Sequence, residues 1–161
     1  MGRLKIWQLI VLLIVVVGGS VLFVGLASGW FSDNRAEINA EYLCGDSCDG
    51  EYMDLAVEDY DKLVADKKSF VIFVDQGGCT TADHLEGFAS DFAKTKGIKI
   101  YKIMFEDVKK SSLHDSVKYY PSVVVMKNGA PLKWLRADED EDSNAYNRYD
   151  SFQEWINKYL K

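Results

Sequence analysis

Ser69-Phe-Val-Ile-Phe-Val-Asp75-Gln-Gly-Gly-Cys79-Thr-Thr-Ala82 runs from an apolar, β-branched stretch through two glycines to a cysteine. Phe70 to Val74 reads as a buried strand, Gly77-Gly78 breaks it, and Leu85, Phe88, Ala89, Phe92 and Ala93 then recur at helical spacing. The pattern predicts a strand, a turn and a helix with Cys79 at the helix N-terminus. Unpaired backbone N–H groups and the positive end of the helix dipole favour thiolate over thiol there. No Lys or Arg lies within six residues of Cys79, whereas Asp75, Asp83 and Glu86 are close in sequence, so the expected thiol is only moderately activated.

A second stretch, Tyr119-Tyr120-Pro121-Ser122-Val-Val-Val-Met-Lys127-Asn128-Gly129, places a proline at the entrance of a strand that ends in an Asn-Gly hairpin turn. Together the two stretches resemble the thioredoxin superfamily over about residues 53 to 161. The resemblance implies a three-layer α/β/α fold with a mixed central sheet. It implies a nucleophile at Cys79, a cis bond between Tyr120 and Pro121 beside it, and contact with a bound partner strand through Gly78, Thr80, Tyr120 and Pro121. This chain departs from the family at the active loop. The usual Trp-Cys-Gly-Pro-Cys is here Gly78-Cys79-Thr80-Thr81-Ala82, so Ala82 stands for the second, resolving cysteine, and Phe73 stands where the family carries a buried acid.

Outward from this core, the residues themselves mark further elements. Tyr52 to Ala56 reads as a first strand, and Val57, Tyr60 and Val64 as the apolar stripe of a short helix ending at Lys67-Lys68. Ile98 to Phe105 reads as a strand, Ser111 to Tyr119 as a short helix, and Ser122 to Lys127 with Leu132 to Ala137 as a hairpin. Phe152, Trp155, Ile156, Tyr159 and Leu160 form the stripe of a closing helix, with Ser151 and Glu154 as its capping box. The acidic run Asp138 to Asp142 reads as a solvated loop. A calcium loop does not fit it, because Ser143 stands where glycine is needed and Tyr149 where the closing glutamate is needed. His84 reads as a surface or half-buried residue on its helix and His114 as a helix-start residue, neither as a ligand.

The N-terminal third has a different character. No charged residue occurs from Ile6 to Ser32, and Leu9 to Gly29 spans about 31 Å as a helix, close to a bilayer hydrocarbon thickness. Trp7 and Trp30 flank it, Arg3 and Lys5 precede it, and Asp33 and Glu37 follow, which predicts a single span with the N-terminus inside and the remainder outside. The competing reading is a cleaved signal peptide with Leu9 to Val17 as its apolar region and Gly25-Leu26-Ala27 as its cleavage site; both readings export the domain. The expected organisation is an anchor over residues 1–30, a polar connector over 31–52 and a globular domain over 53–161.

All 25 acidic residues and all but two of the 19 basic residues follow the apolar segment, so that part holds 17 basic against 25 acidic residues and a net charge of −8. A nucleic-acid partner is excluded on that balance. There is no phosphate loop, dinucleotide fingerprint or His-Glu-x-x-His, so no cofactor is expected and thiol chemistry is the available vocabulary. Cys44 and Cys48 in the connector are read either as a structural disulfide or as a redox pair exchanging with Cys79. A three-thiolate metal site from Cys44, Cys48 and Cys79 is a third arrangement. The function expected is engagement of partner thiols or disulfides through Cys79, with a redox-inactive binding module as the alternative and a metal-handling protein as a more distant one.

Overall fold

A computed structural model describes residues 34–38, 50–109 and 111–161. The expected membrane span and the Cys44/Cys48 pair lie outside the described residues. Among those described, no helix is long and apolar enough to cross a membrane.

Five strands, β1 (Glu51–Asp54), β2 (Phe70–Asp75), β3 (Lys99–Met104), β4 (Ser122–Lys127) and β5 (Ala130–Trp134), form one sheet in the order β1-β3-β2-β4-β5. β1 and β2 run parallel to β3, whereas β4 runs antiparallel to β2 and to β5, so the sheet is mixed. The helices are α1 (Val57–Ala65), α2 (Thr80–Lys96), α3 (Phe105–Val108), α4 (Ser112–Ser116), α5 (Asp140–Asn147) and α6 (Tyr149–Asn157). All six residues of β2 are buried, which requires cover on both faces and explains why Phe70 to Val74 is continuously apolar instead of alternating.

The side-chain alternation of β2 sorts the two layers. Phe70 meets Tyr60 of α1 and Tyr101 of β3, with ring centroids 6.3 and 6.0 Å apart. On the opposite face, α2 packs against α6 through Phe88 and Phe92, which contact Phe152 at 6.1 and 5.9 Å. The β4–β5 hairpin turns through Asn128 and Gly129, both with positive φ (52° and 78°), the geometry whose twist suits a two-residue hairpin. Pro131 sits on the edge strand, where its missing N–H costs no ladder bond.

Several boundaries differ from the sequence expectation. β3 stops at Met104 and Phe105 opens the short helix α3, an element the apolar run had absorbed into the strand. The short helix after Ser111 ends at Ser116, with the Ser111 hydroxyl accepting the Leu113 N–H at 3.2 Å. β5 spans Ala130–Trp134 instead of Leu132 to Ala137. The acidic run is not a loop: Asp140 opens α5, and Asp142 is 3% exposed. The Ser151–Glu154 capping box does not form, because α6 already starts at Tyr149 with Arg148 at its N-cap. Nor is residues 31–52 wholly a connector, since Ala36 and Ile38 are buried in the core and β1 starts at Glu51.

Candidate thiol site

β2 ends at Asp75, whose carboxylate Oδ1 accepts the Gly77 N–H at 2.8 Å and so closes the turn. Gly77 and Gly78 follow with φ of 72° and 64°, a left-handed pair that side-chain-bearing residues resist. Cys79 is then the N-cap of α2, its carbonyl accepting the N–H groups of Ala82 and Asp83 at 2.9 and 3.2 Å. The thiol is free and half-buried. It is held below its ordinary value first by the Ala82 N–H, then by the Thr81 N–H and hydroxyl, against partial desolvation and the Asp83 carboxylate. None of these donors closes a full capping hydrogen bond to the sulfur. Thr80, exposed, opens the helix beside it, and Ala82 is 2% exposed in the first turn, an apolar contact where a second sulfur is absent.

The Tyr120–Pro121 bond is cis, as the resemblance implies. Val74 pairs with Ser122 in the antiparallel β2–β4 ladder, so the end of the strand leading to Cys79 and the start of the strand led by Pro121 are neighbours at one end of the sheet. Met104 joins them, paired with Asp75 and 3.6 Å from where a Cβ on Gly77 would stand. Met104 and Tyr119 are exposed at 40% and 37%, two large apolar side chains bordering this sheet end.

Tyr120 is half-buried, its ring 4.6 Å from Phe105 and 6.4 Å from His114, and its hydroxyl donates to the Val117 carbonyl at 2.8 Å. Burial pushes its phenol up to about 12. His114, read as a helix-start residue, is thus part of the aromatic cluster under Tyr120.

Two groups escaped sequence reasoning. Tyr146 of α5 is buried, and its hydroxyl donates toward the carbonyls of Pro121 (3.0 Å) and Leu135 (3.1 Å), tying the cis-proline segment to the helix behind it. Its only sequence signal is an aromatic residue in a polar stretch. Lys102 of β3 bridges Asp75 at 3.1 Å and Glu86 of α2 at 2.8 Å, so one cation links the Cys79 turn to the helix that follows it. Burial alone would pull the Lys102 ammonium down, but the hydrogen bonds it donates to Glu86 and Asp75, with their negative charge, outweigh burial and the net direction is up. Above the trio, the Tyr52 phenol is pushed up by burial and by Glu86 and Asp75, its hydroxyl facing Glu86 without closing a hydrogen bond. Asp75, two residues beyond Phe73, is a buried carboxylate at the end of β2.

Among the described residues, no group of three His, Cys, Asp or Glu side chains is arranged to hold a metal ion. Gly78, Cys79 and Thr80 lie on one turn and Tyr120 and Pro121 on the neighbouring strand entrance, while Cys44 and Cys48 lie outside the described residues.

No protein-family model matches the chain, and no curated protein does. Solved structures do. A thioredoxin variant from Halobacterium salinarum superposes with a TM-score of 0.54 at 15% identity, over 73% of this chain and 97% of that one. The oxidised thioredoxin of Plasmodium falciparum gives 0.52 at 16% identity, over 69% and 100%. The thioredoxin of Malassezia sympodialis gives 0.52 at 14%, over 68% and 91%. At these identities the likeness establishes a thioredoxin-like α/β fold.

Proposed function

We propose that this protein exchanges thiols and disulfides with partner proteins through Cys79 as a single nucleophile. The observation that carries the reading is the pairing of Val74 with Ser122, which brings the strand leading to the helix-capping Cys79, its pKa depressed, beside the strand entered through the cis Tyr120–Pro121 bond. The Cys79 thiolate attacks one sulfur of a partner disulfide, a new S–S bond forms at Cys79, and the other partner sulfur leaves as thiolate with the electron pair of the broken bond. The helix amides of Thr81 and Ala82 favour the thiolate. Tyr120 and Pro121, with Gly78 and Thr80 on the neighbouring turn, form the surface against which an extended partner segment lies. We further propose that the domain is held outside the cytoplasm by a single N-terminal span, a reading supported by the uncharged stretch from Ile6 to Ser32 and its flanking charges.

One observation favours a second reading. Ala82 is packed and apolar where a resolving thiol is needed for dithiol turnover, which suits a redox-inactive module that keeps the peptide surface and has lost catalysis. The two part on one experiment. The folded protein is mixed with an aromatic disulfide whose released thiolate is coloured. Fast release that disappears in Cys79→Ser, with unchanged circular dichroism, supports exchange. Equal release from wild type and Cys79→Ser hands the site to the binding module. For the anchor, protease added to intact cells should degrade the domain, and full protection overturns the orientation.

A further inference from the structure

Lys67 follows the C-cap of α1 with φ of 53°, a left-handed conformation in which glycine is the usual residue. Its N–H donates to the Val64 carbonyl at 3.0 Å, and that of Lys68 to the Leu63 carbonyl at 2.9 Å, so α1 ends in a Schellman turn with a lysine in the glycine place. Backbone strain of this kind points to a use for the side chain. That side chain is exposed and positively charged. β2 and β3 run parallel with Val71 paired to Ile100, so Lys67, just before β2, lies at the same end of the sheet as Lys94 and Lys96 in the last turn of α2. α6 runs in the same sense as α2, because Tyr149 and Phe152 both meet Phe88 and Phe152 also meets Phe92, which brings Lys158 to this end too.

Lys67, Lys94, Lys96 and Lys158 are all exposed, and none of them closes an ion pair with a described residue. Arg35, Lys127 and Lys161 add positive charge at this end, against the acids Glu37, Glu51 and Asp66, of which Glu51 is taken up by Lys99. Helix dipoles favour lysine at a C-terminus and account for Lys94, Lys96 and Lys158 singly. They account neither for Arg35 and Lys127, which are on no helix, nor for the strain at Lys67. The chain also enters the domain here. Ala36 forms a parallel bridge with Leu160, its N–H donating to the Tyr159 carbonyl at 2.6 Å and its carbonyl accepting the Lys161 N–H at 3.1 Å. Ala36 is six residues beyond Trp30, the aromatic residue flanking the proposed span. A flexible segment of that length averages about 13 Å end to end and reaches at most about 21 Å. The negative potential of an anionic bilayer extends about 8 Å in physiological salt, and long lysine side chains close the difference.

We infer that the lysine face around Lys67, Lys94, Lys96 and Lys158 binds the anionic phospholipid headgroups of the membrane that anchors the chain. The inference rests on the anchor reading above and adds to it a second, electrostatic attachment. Each lysine held near such a surface strengthens association by roughly fivefold. Lys96 is the last residue of the 17-residue helix α2 that Cys79 caps, about 25 Å away by helical rise. Docking by this face therefore leaves the thiol turn clear of the headgroups and open to a partner.

The experiment uses the full chain, reconstituted into vesicles of phosphatidylcholine alone and of an equal mixture of phosphatidylcholine and phosphatidylglycerol. Flotation with the neutral vesicles reads the anchor by itself. A membrane-impermeant amine reagent is then added, and mass spectrometry gives the labelling of each face lysine relative to Lys118, an exposed lysine two residues before Tyr120 in the same molecule. The expected result is a several-fold lower ratio at Lys67, Lys94, Lys96 and Lys158 in the anionic vesicles, returning to the neutral-vesicle value in high salt. Lys67→Gln combined with Lys94→Gln should restore labelling of Lys96 and Lys158 on the anionic vesicles, with unchanged circular dichroism. Equal ratios in the two kinds of vesicle overturn the inference and leave the face to an acidic protein partner. Protection that survives high salt overturns it as well, because charge is then not what holds the face down. A chain that does not float with neutral vesicles is a different failure, and it removes the anchor reading together with the inference.

Discussion

At the scale of single residues, the site depends on how one sulfur and one cation are held. Thr81 supplies both an N–H and a hydroxyl toward Cys79, and Asp83 opposes them. Thr81→Val keeps the N–H and removes the hydroxyl, so the pH midpoint of Cys79 alkylation should move up, while Asp83→Asn should move it down. An unchanged midpoint in both would mean that the Ala82 N–H alone sets the value. Lys102 serves the site from beneath, neutralising Asp75 at the turn and Glu86 on α2. Lys102→Met leaves two partly buried carboxylates without their cation and should cost about 2 kcal/mol at neutral pH, with partial rescue by Lys102→Arg. The sign of its pH dependence follows from the raised ammonium value. The stabilisation is fully present below the unfolded lysine value and is lost as pH rises through the folded one, so the deficit of Lys102→Met should shrink only in strong alkali. Cys79 was legible because a strand, a glycine pair and a helix stripe are local patterns. Lys102 was not, because nothing in Ile-Tyr-Lys-Ile foretells two carboxylates from other elements converging on one face of β3.

At the scale of elements, α5 does most to hold the second half of the site. Its first turn is acidic, as suits a helix N-terminus, and that same composition made it read as solvated loop. The distinction is tertiary. Asp142 is buried because its carboxylate accepts the Arg136 N–H at 3.0 Å, and Tyr146 one turn on reaches the Pro121 carbonyl. Burial pushes Asp142 up; the Arg136 N–H and Lys133 only partly counter it, and the Trp155 indole faces it without closing a hydrogen bond. A carboxyl raised in the folded state binds its proton more tightly there, so its contribution to stability is complete below the unfolded value and fades as pH rises through the folded one. Asp142→Asn should therefore flatten the decline in stability that sets in as pH rises above the ordinary aspartate range, measured by denaturant titration; a parallel curve would show that Asp142 carries no linked proton. Tyr146→Phe should cost about 1–2 kcal/mol by removing the hydroxyl from the buried carbonyls of Pro121 and Leu135. If Tyr146 positions the proline, the variant should also raise the partner concentration needed for half-maximal exchange while leaving the Cys79 alkylation midpoint in place. A loss of stability with exchange unaltered would make it a packing residue.

At the scale of the whole domain, the alternation of strands and helices and both glycine turns follow from patterns a few residues long, which is why the mixed sheet was legible, whereas the strand order β1-β3-β2-β4-β5 was not. The docking of residues 34–38 was not. The segment shows neither a helical nor a strand period, and its structure comes from a backbone pairing with residues more than a hundred positions away. Ala36 is fully buried, and its N–H and carbonyl are both committed to the chain around Leu160. The last residues thus close the domain by holding the strand that enters it. Removing Leu160 and Lys161 deletes the Lys161 N–H bond and the apolar contact of Leu160, a loss of about 2 kcal/mol. The amide of Ala36 should then lose its protection from hydrogen exchange, while the amides of β2 and β4 keep theirs because their ladder is untouched. Cys79 sits at the opposite end of α2 and should alkylate at the wild-type rate. Slower or faster alkylation in the shortened protein would mean that the clamp at Ala36 and the thiol turn are coupled through the helix between them, and the separation of closure from chemistry would not hold.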